Sequence, residues 1–418
     1  MQSPFYTARR RWIPALAMAA TAEILPLIQA ASGSAAAVPL RLTAARLIGL
    51  DLLTPQIGYT YGYRHGRFTV WRTRDGGRVW RRDTVPGVPE AADASVPSPT
   101  VEFLGPQTGW IAWIVPHQKF STLMVLRTTN AGWNWQPSST RVSRVMSMVK
   151  QIDFVSRQIG WIRAFSMGAA MAGDTDIFRS TDRGASWTLM SASSGYIPNP
   201  QRTPQALPAF DASMPMTFAN ATDGWAAVGS FVAPIARAAV YRTDDAGTRW
   251  HPVALPVPHG YGSDATIALP PVVAGTAGTV LMQYQGRVNA VVTYGTHDGG
   301  AAWTVRSAIV LKASQSPLHA SFISPSRGWI IDDAAGWFAA TANGGRTWSP
   351  IRIRGVLRSA SRHGYRVATL QMRSVTAGWI LLQRVNPVTS AVQTQVLTTR
   401  DGGATWMTEV VTHGTMPS

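Results

Sequence analysis

Thr399-Arg400-Asp401-Gly402-Gly403-Ala404-Thr405-Trp406 is the stretch whose reading decides the fold. The same eight-residue grammar occurs six more times, from Thr73 to Trp80, Thr128 to Trp135, Ser180 to Trp187, Thr243 to Trp250, Thr296 to Trp303 and Thr341 to Trp348. Each copy has Thr or Ser first, an acid or amide third, Gly fifth and Trp eighth. The third positions are Asp75, Asn130, Asp182, Asp245, Asp298, Asn343 and Asp401, and they recur every 45 to 63 residues. A recurrence of that length marks one supersecondary unit repeated in an array.

A short polar side chain at the third position is expected to bond backbone amides two residues on. That closes a tight turn beside a glycine in the left-handed conformation. The eighth-position rings (Trp80, Trp135, Trp187, Trp250, Trp303, Trp348 and Trp406) open the next strand and pack beneath the turn, so each copy reads as a hairpin. Upstream stands a second signature, Gly followed by an aromatic residue: Gly58-Tyr59, Gly109-Trp110, Gly160-Trp161, Gly224-Trp225, Gly328-Trp329 and Gly378-Trp379. Before it come period-two alternations such as Val101-Glu102-Phe103, Ile152-Asp153-Phe154 and Met216-Thr217-Phe218, the mark of a strand with one face buried. Four antiparallel strands per unit make a propeller blade.

The blades fall at 44–86, 99–141, 149–191, 213–255, 270–308, 317–354 and 366–412. The fifth is irregular, since Gly278-Thr279-Val280 stands where Gly-Trp is expected. Residues 38–44 are expected to add an outer strand to the last blade, and no helical period after residue 40 competes. The expected fold is all-β, a seven-bladed propeller over residues 38–418. Twelve of the 17 tryptophans occupy the two signatures, which leaves few aromatics for a ligand.

The eight-residue pattern resembles the Asp-box, or bacterial neuraminidase repeat, of sialidases, sortilin-type receptors, some glucanases and the secreted propellers similar to photosystem II assembly factors. The resemblance implies that the seven acids or amides are scaffold on the face away from any binding site. Repeated Gly-Trp, a single domain and a leader look most like the last group, which implies a protein-docking scaffold without catalysis.

Arg9, Arg10 and Arg11, the apolar run Trp12 to Ile28 and the small-residue tract Ala30 to Ala37 have the order of a secretory signal peptide. Residues 1–37 are therefore expected to be a signal peptide or an uncleaved anchor, and the protein to be secreted or surface-held. Cysteine is absent, which rules out disulfides, thiolate metal sites and a cysteine nucleophile.

Chemistry is sparse. The glutamates are Glu23, Glu90, Glu102 and Glu409, and none is expected to face a nucleophilic tyrosine as a sialidase would require. A glycosidase needs two carboxyl groups at a set separation. The candidate pairs are Asp174 with Asp176 and Asp332 with Asp333, each expected in a loop between second and third strands, where turn formation is the more ordinary reading. The eight histidines are scattered without ligand spacing, so no metal and no cofactor is expected.

Net charge is +17 and only three lysines contribute to it, so the excess is arginine, whose rigid fork pairs with carboxylate or phosphate. Arg352, Arg354, Arg358, Arg362 and Arg366 cluster in the link from blade 6 to blade 7. Arg352 and Arg354 are expected on one face of the last strand of blade 6. The expected partner is an acidic protein segment or another anionic surface polymer, at a membrane surface or in a cell wall. Nucleic acid is not expected, and the unit is read as a monomer. The alternative is an extracytoplasmic propeller that binds or hydrolyses glycans.

Overall fold

The computed structural model describes residues 40–90, 98–167, 173–194, 203–208, 214–229, 238–258, 261, 264–285, 288–311, 318–332, 336–386, 388–389 and 391–415. The expected leader over residues 1–37 lies outside them.

Seven antiparallel sheets follow one another in chain order, each starting at the ring axis and ending at the rim. Blade 1 comprises Ala45–Leu52, Gly58–Arg64, Arg67–Thr73 and Arg81–Thr84, and blade 2 Thr100–Phe103, Gly109–Pro116, Ser121–Thr128 and Gln136–Val142. Blade 3 comprises Met148–Phe154, Gly160–Met167, Gly173–Ser180 and Thr188–Ser194, and blade 4 Met216–Phe218, Gly224–Val228, Ala239–Thr243 and His251–Ala254. In blade 5 the innermost strand is in two pieces, Asp264–Ala268 and Val272–Ala274, both paired with Ala277–Gln285. Pro270 and Pro271 divide them, because proline cannot donate to a ladder. That blade therefore begins six residues before the expected boundary at 270. Ala290–Thr296 and Thr304–Val310 complete it.

Blade 6 has His319–Phe322, Gly328–Asp332, Trp337–Thr341 and an outer strand of only two residues, Ser349–Pro350. Arg352 and Arg354 thus lie beyond the strand that was expected to carry them. A helix, Gly355–Arg362, follows and corrects the expectation of none. Blade 7 comprises Arg366–Met372, Gly378–Val385, Ala391–Thr399 and Met407–Thr415. Leu40–Thr43 lies parallel to its outer strand, Leu40 opposite Val410 and Thr43 opposite His413. The expected extra strand of the final blade is there, and it runs on into blade 1 after one residue, so residues 40–52 clasp the last blade to the first.

The repeated turn is built around its first residue. The Thr243 hydroxyl donates to Asp245 Oδ1 at 2.9 Å and accepts from the Gly247 amide at 2.9 Å, and all seven copies repeat both bonds. The acid or amide oxygen takes the amide four residues on, as from Arg249 to Asp245 at 2.9 Å. The expectation of two residues fails because the hydroxyl already occupies that place. Fourth and fifth residues are both left-handed, Ala246 at φ 63° and Gly247 at φ 91°.

Aromatic layers join the blades. Trp110 of blade 2 stacks on Phe154 of blade 3 at 3.4 Å, and Trp161 on Phe218 at 3.7 Å. The turn tryptophans Trp187 and Trp250 then meet those phenylalanines edge-on. The Gly of Gly-Trp makes room for this: a Cβ on Gly160 would stand 2.4 Å from the Phe154 ring.

Hydrogen bonds lock the same junctions. The indole N–H of Trp110, Trp161, Trp225 and Trp329 each donates to the fourth-position carbonyl of the next blade's turn, at Arg183, Ala246, Gly299 and Gly402. Where Gly-Trp is missing, an arginine takes over. Arg72 reaches the Ala131 carbonyl at 3.2 Å, and Arg306, held by Thr279, reaches Gly344 at 3.0 Å.

Candidate functional site

Inner strands expose one unpaired edge to the axis, and polar side chains from the preceding blade cap it. Asp51 accepts the Phe103 amide at 2.7 Å, Glu102 that of Phe154 at 3.0 Å, and Asp153 that of Phe218 at 3.0 Å. Ser321 does the same for Met372, and Gln371 for Leu52. Gln151 clamps both backbone groups of Met216. The channel they enclose has a volume of about 290 Å³ and is lined by Leu50, Tyr61, Lys150 and Arg373 among others.

Tyr61 is flanked in this channel by the Asp51 and Glu102 carboxylates. Burial raises its hydroxyl far above the usual phenol range, and the two negative charges raise it further. Glu102 thus stands near a tyrosine, and the expectation that no glutamate faces a nucleophilic one turns on what this tyrosine can do. The arrangement is still a poor nucleophile, since attack needs the phenolate and both carboxylates disfavour it. Asp51 is in addition paired with Arg373 at 3.4 Å.

Asp174 and Asp176 do not lie in a loop. They stand in the third strand of blade 3, two residues apart and therefore on one face, with Asp176 buried. Arg144, from the link between blades 2 and 3, bonds both Asp176 oxygens and lies 3.6 Å from Asp174. Burial pushes the Asp176 carboxyl above its ordinary value against the pull of Arg144. The cluster joins the link to the blade. Asp332 ends the second strand of blade 6 and is buried, while Asp333 lies outside the described residues.

Glu90 makes an exposed pair with Arg67 at 3.9 Å. Glu409 is buried on the outer strand of blade 7, where it accepts from the Thr398 hydroxyl at 2.8 Å and packs under Gly77 of blade 1. Burial raises its carboxyl above the ordinary glutamate value, outweighing that hydrogen bond and the pull of Arg400 and Arg78.

The five arginines of the blade 6 to blade 7 link are all exposed. Three of them, Arg352, Arg358 and Arg362, line one groove of about 460 Å³; Arg354 and Arg366 are not among its lining residues. Its origin is the two-residue outer strand of blade 6. Other blades carry an outer strand of up to nine residues; here the ladder ends at Pro350 and one further bond, from the Ile351 amide to the Phe338 carbonyl. The chain then turns into the helix, which buries Leu357 and Ala360 in the cluster of Trp329, Phe338 and Tyr365. Arg358 and Arg362, one helical turn apart, are thereby directed away from that core.

The groove floor is apolar, with Ile351, Ile353 and the half-exposed Trp337, and no acidic side chain occurs among the described residues that line it. Helix and link are pinned from blade 7: Arg384 donates to the His363 carbonyl at 3.1 Å and lies over the Tyr365 ring. Inter-blade links share the face opposite the repeated turns, so the groove opens on the side that the turns leave free.

No family model matches the chain, and no curated protein matches it. Solved structures do. YCF48 bound to a D1 peptide is 17% identical, with 84% of this chain and 97% of that one covered and a TM-score of 0.51. YCF48 from Cyanidioschyzon merolae is 14% identical over 86% and 96%, with a TM-score of 0.52. At these identities the likeness is one of fold. An α-L-arabinofuranosidase from Fusarium graminearum, at 11% identity over 76% and 93% with a TM-score of 0.41, is too distant to bear on activity.

The groove was only half legible in the sequence. Its arginines form a visible run, but Trp337 and the truncated strand had to be brought beside them by the fold. Gly355 and Gly364 bracketing Leu357 and Ala360, apolar positions three apart, are the signal that would have found the helix.

Proposed function

We propose that this propeller is a non-catalytic docking scaffold, acting outside the cytoplasm, that holds an acidic protein segment against the arginines of the blade 6 to blade 7 link. One observation carries the reading: Arg352, Arg358 and Arg362 converge on a groove with an aromatic floor and no acid among its described lining residues. Guanidinium groups keep their charge at any physiological pH and bond carboxylates through two parallel N–H donors. The fold that this chain shares with YCF48, a protein solved with a bound peptide, supports a peptide-holding role.

Charge reversal at all three positions tests it. Crosslinked partners from the native cell envelope should be lost from the variant while thermal stability stays within about 0.5 kcal/mol, as expected for exposed sites. An unchanged set of partners would remove the groove from consideration.

A glycan-active channel is the second reading, favoured by Tyr61 standing beside Glu102 and Asp51. Both carboxylates accept backbone amides of the next blade, which argues for a structural role. Hydrolysis of an aryl glycoside that Glu102→Gln abolishes, in a protein that still melts normally, would reverse the order of the two readings.

A further inference from the structure

The docking reading leaves open what kind of acidic segment the groove selects, and the spacing of its charges narrows this. Arg358 and Arg362 are four residues apart on one helix, so their stems are offset by about 6 Å along its axis. Alternate residues of an extended strand are offset by about 6.6 Å, and adjacent ones point to opposite sides. The space is a trough, because the outer strand of blade 6 stops at Pro350 where those of blades 2, 3 and 5 continue to seven residues. An extended chain takes the place that the shortened outer strand leaves.

The apolar floor supplies the second term. Trp337, Ile351 and Ile353 line the same groove as the arginines of the helix. An extended segment with carboxylates at alternate positions towards the helix turns the residue between them away from it, towards this floor. We infer that the groove reads an extended acidic protein segment in which two carboxylates flank one apolar residue, Arg358 and Arg362 taking the carboxylates and Trp337 the apolar side chain. Arg352, on the link side of the same groove, adds attraction without fixing register.

The inference rests on the docking reading, and the test separates the two. Four labelled peptides of equal length in a Ser/Gly background are titrated into the full chain and followed by fluorescence anisotropy. The first has aspartates flanking a leucine, the second the same residues with the aspartates adjacent, the third has asparagines in place of the aspartates, and the fourth is the first with serine in place of leucine. The first should bind about tenfold more tightly than the second, the change expected for one lost hydrogen bond to a charged group, and the third should not bind. Arg358→Gln and Arg362→Gln should each erase the difference between the first two. Arg346→Gln, an exposed arginine on the repeated turn of the same blade, should leave it intact. Trp337→Ala should weaken the first peptide while the tightness ratio to a leucine-to-serine version falls towards one.

Equal binding of flanking and adjacent aspartates, still lost in the arginine variants, would sink the spacing rule and keep the docking reading. Failure of every acidic peptide, with vesicles rich in anionic lipid captured through Arg358 instead, would sink both.

Discussion

Ala246 shows how much a single backbone position can be asked to do. It sits in the left-handed region, where a Cβ costs about 1 to 2 kcal/mol, and its carbonyl receives the Trp161 indole at 2.8 Å. Four of the seven turns place glycine there (Gly76, Gly299, Gly344 and Gly402), while Ala131, Arg183 and Ala246 do not. Ala246→Gly keeps the acceptor and relieves the strain, so stability should rise by up to about 1 kcal/mol in urea melts. A fall would mean that the alanine methyl, buried beside Trp161 and Trp250, matters more than the backbone.

At the scale of the element, the turn is an acid-sensitive joint. Burial opposes ionisation of Asp245, but hydrogen bonds from Arg249 and Thr243 outweigh it and hold the carboxyl below its ordinary value; Asp75, Asp182 and Asp401 are lowered in the same way. At Asp298 the Thr296 hydroxyl leads. A depressed folded pKa gives stability that is present above the unfolded value, about 3.9, and lost as pH falls through the folded one. The protein should therefore weaken steeply below about pH 4. A variant with asparagine at all five positions, as nature has at Asn130 and Asn343, should keep more of its pH 7 stability at pH 3 when the two are compared by denaturant titration. An identical acid limb in both proteins would refute the joint as its source.

The elements differ in how openly the sequence declares them. A turn whose bonds stay within eight residues repeats visibly, and from it followed blade number, order and the alternation of strands. Contacts between blades repeat in geometry and not in residue type. Asp51, Glu102, Asp153, Ser321 and Gln371 perform one task with three chemistries, carboxylate, hydroxyl and amide, so Glu102 read as a lone acid on a core strand. Asp174 and Asp176 looked like loop carboxylates because Arg144, which engages both, is thirty-two residues from Asp176 and lies in the link that precedes their blade. The helix escaped notice because eight residues with two buried apolar positions carry too little period to register.

For the molecule as a whole, the seam between blades 7 and 1 decides whether the ring holds. Leu42 on the clasp packs with Leu47, Trp379, Val396 and Val410 from both sides. Gln371 bonds Leu52 and Leu50, and Arg373 donates to the Leu52 carbonyl. Leu42→Asp should cost about 2 kcal/mol or more by losing apolar burial and placing a charge there. Hydrogen exchange should then quicken first at Val410 to His413, well before blade 3. Uniform loss of protection around the ring would show that the seam is no weaker than any other joint.

In six of the seven turns the carbonyl at the fourth residue accepts either an indole from one strand or a guanidinium from another. A receptor indifferent to its donor loosens selection on spelling while preserving assembly, so neighbouring copies can drift apart without the circle losing a member. Divergence of that sort frees the perimeter to acquire unequal equipment, and a stunted sixth copy with a charged helix in place of half a strand is one such acquisition.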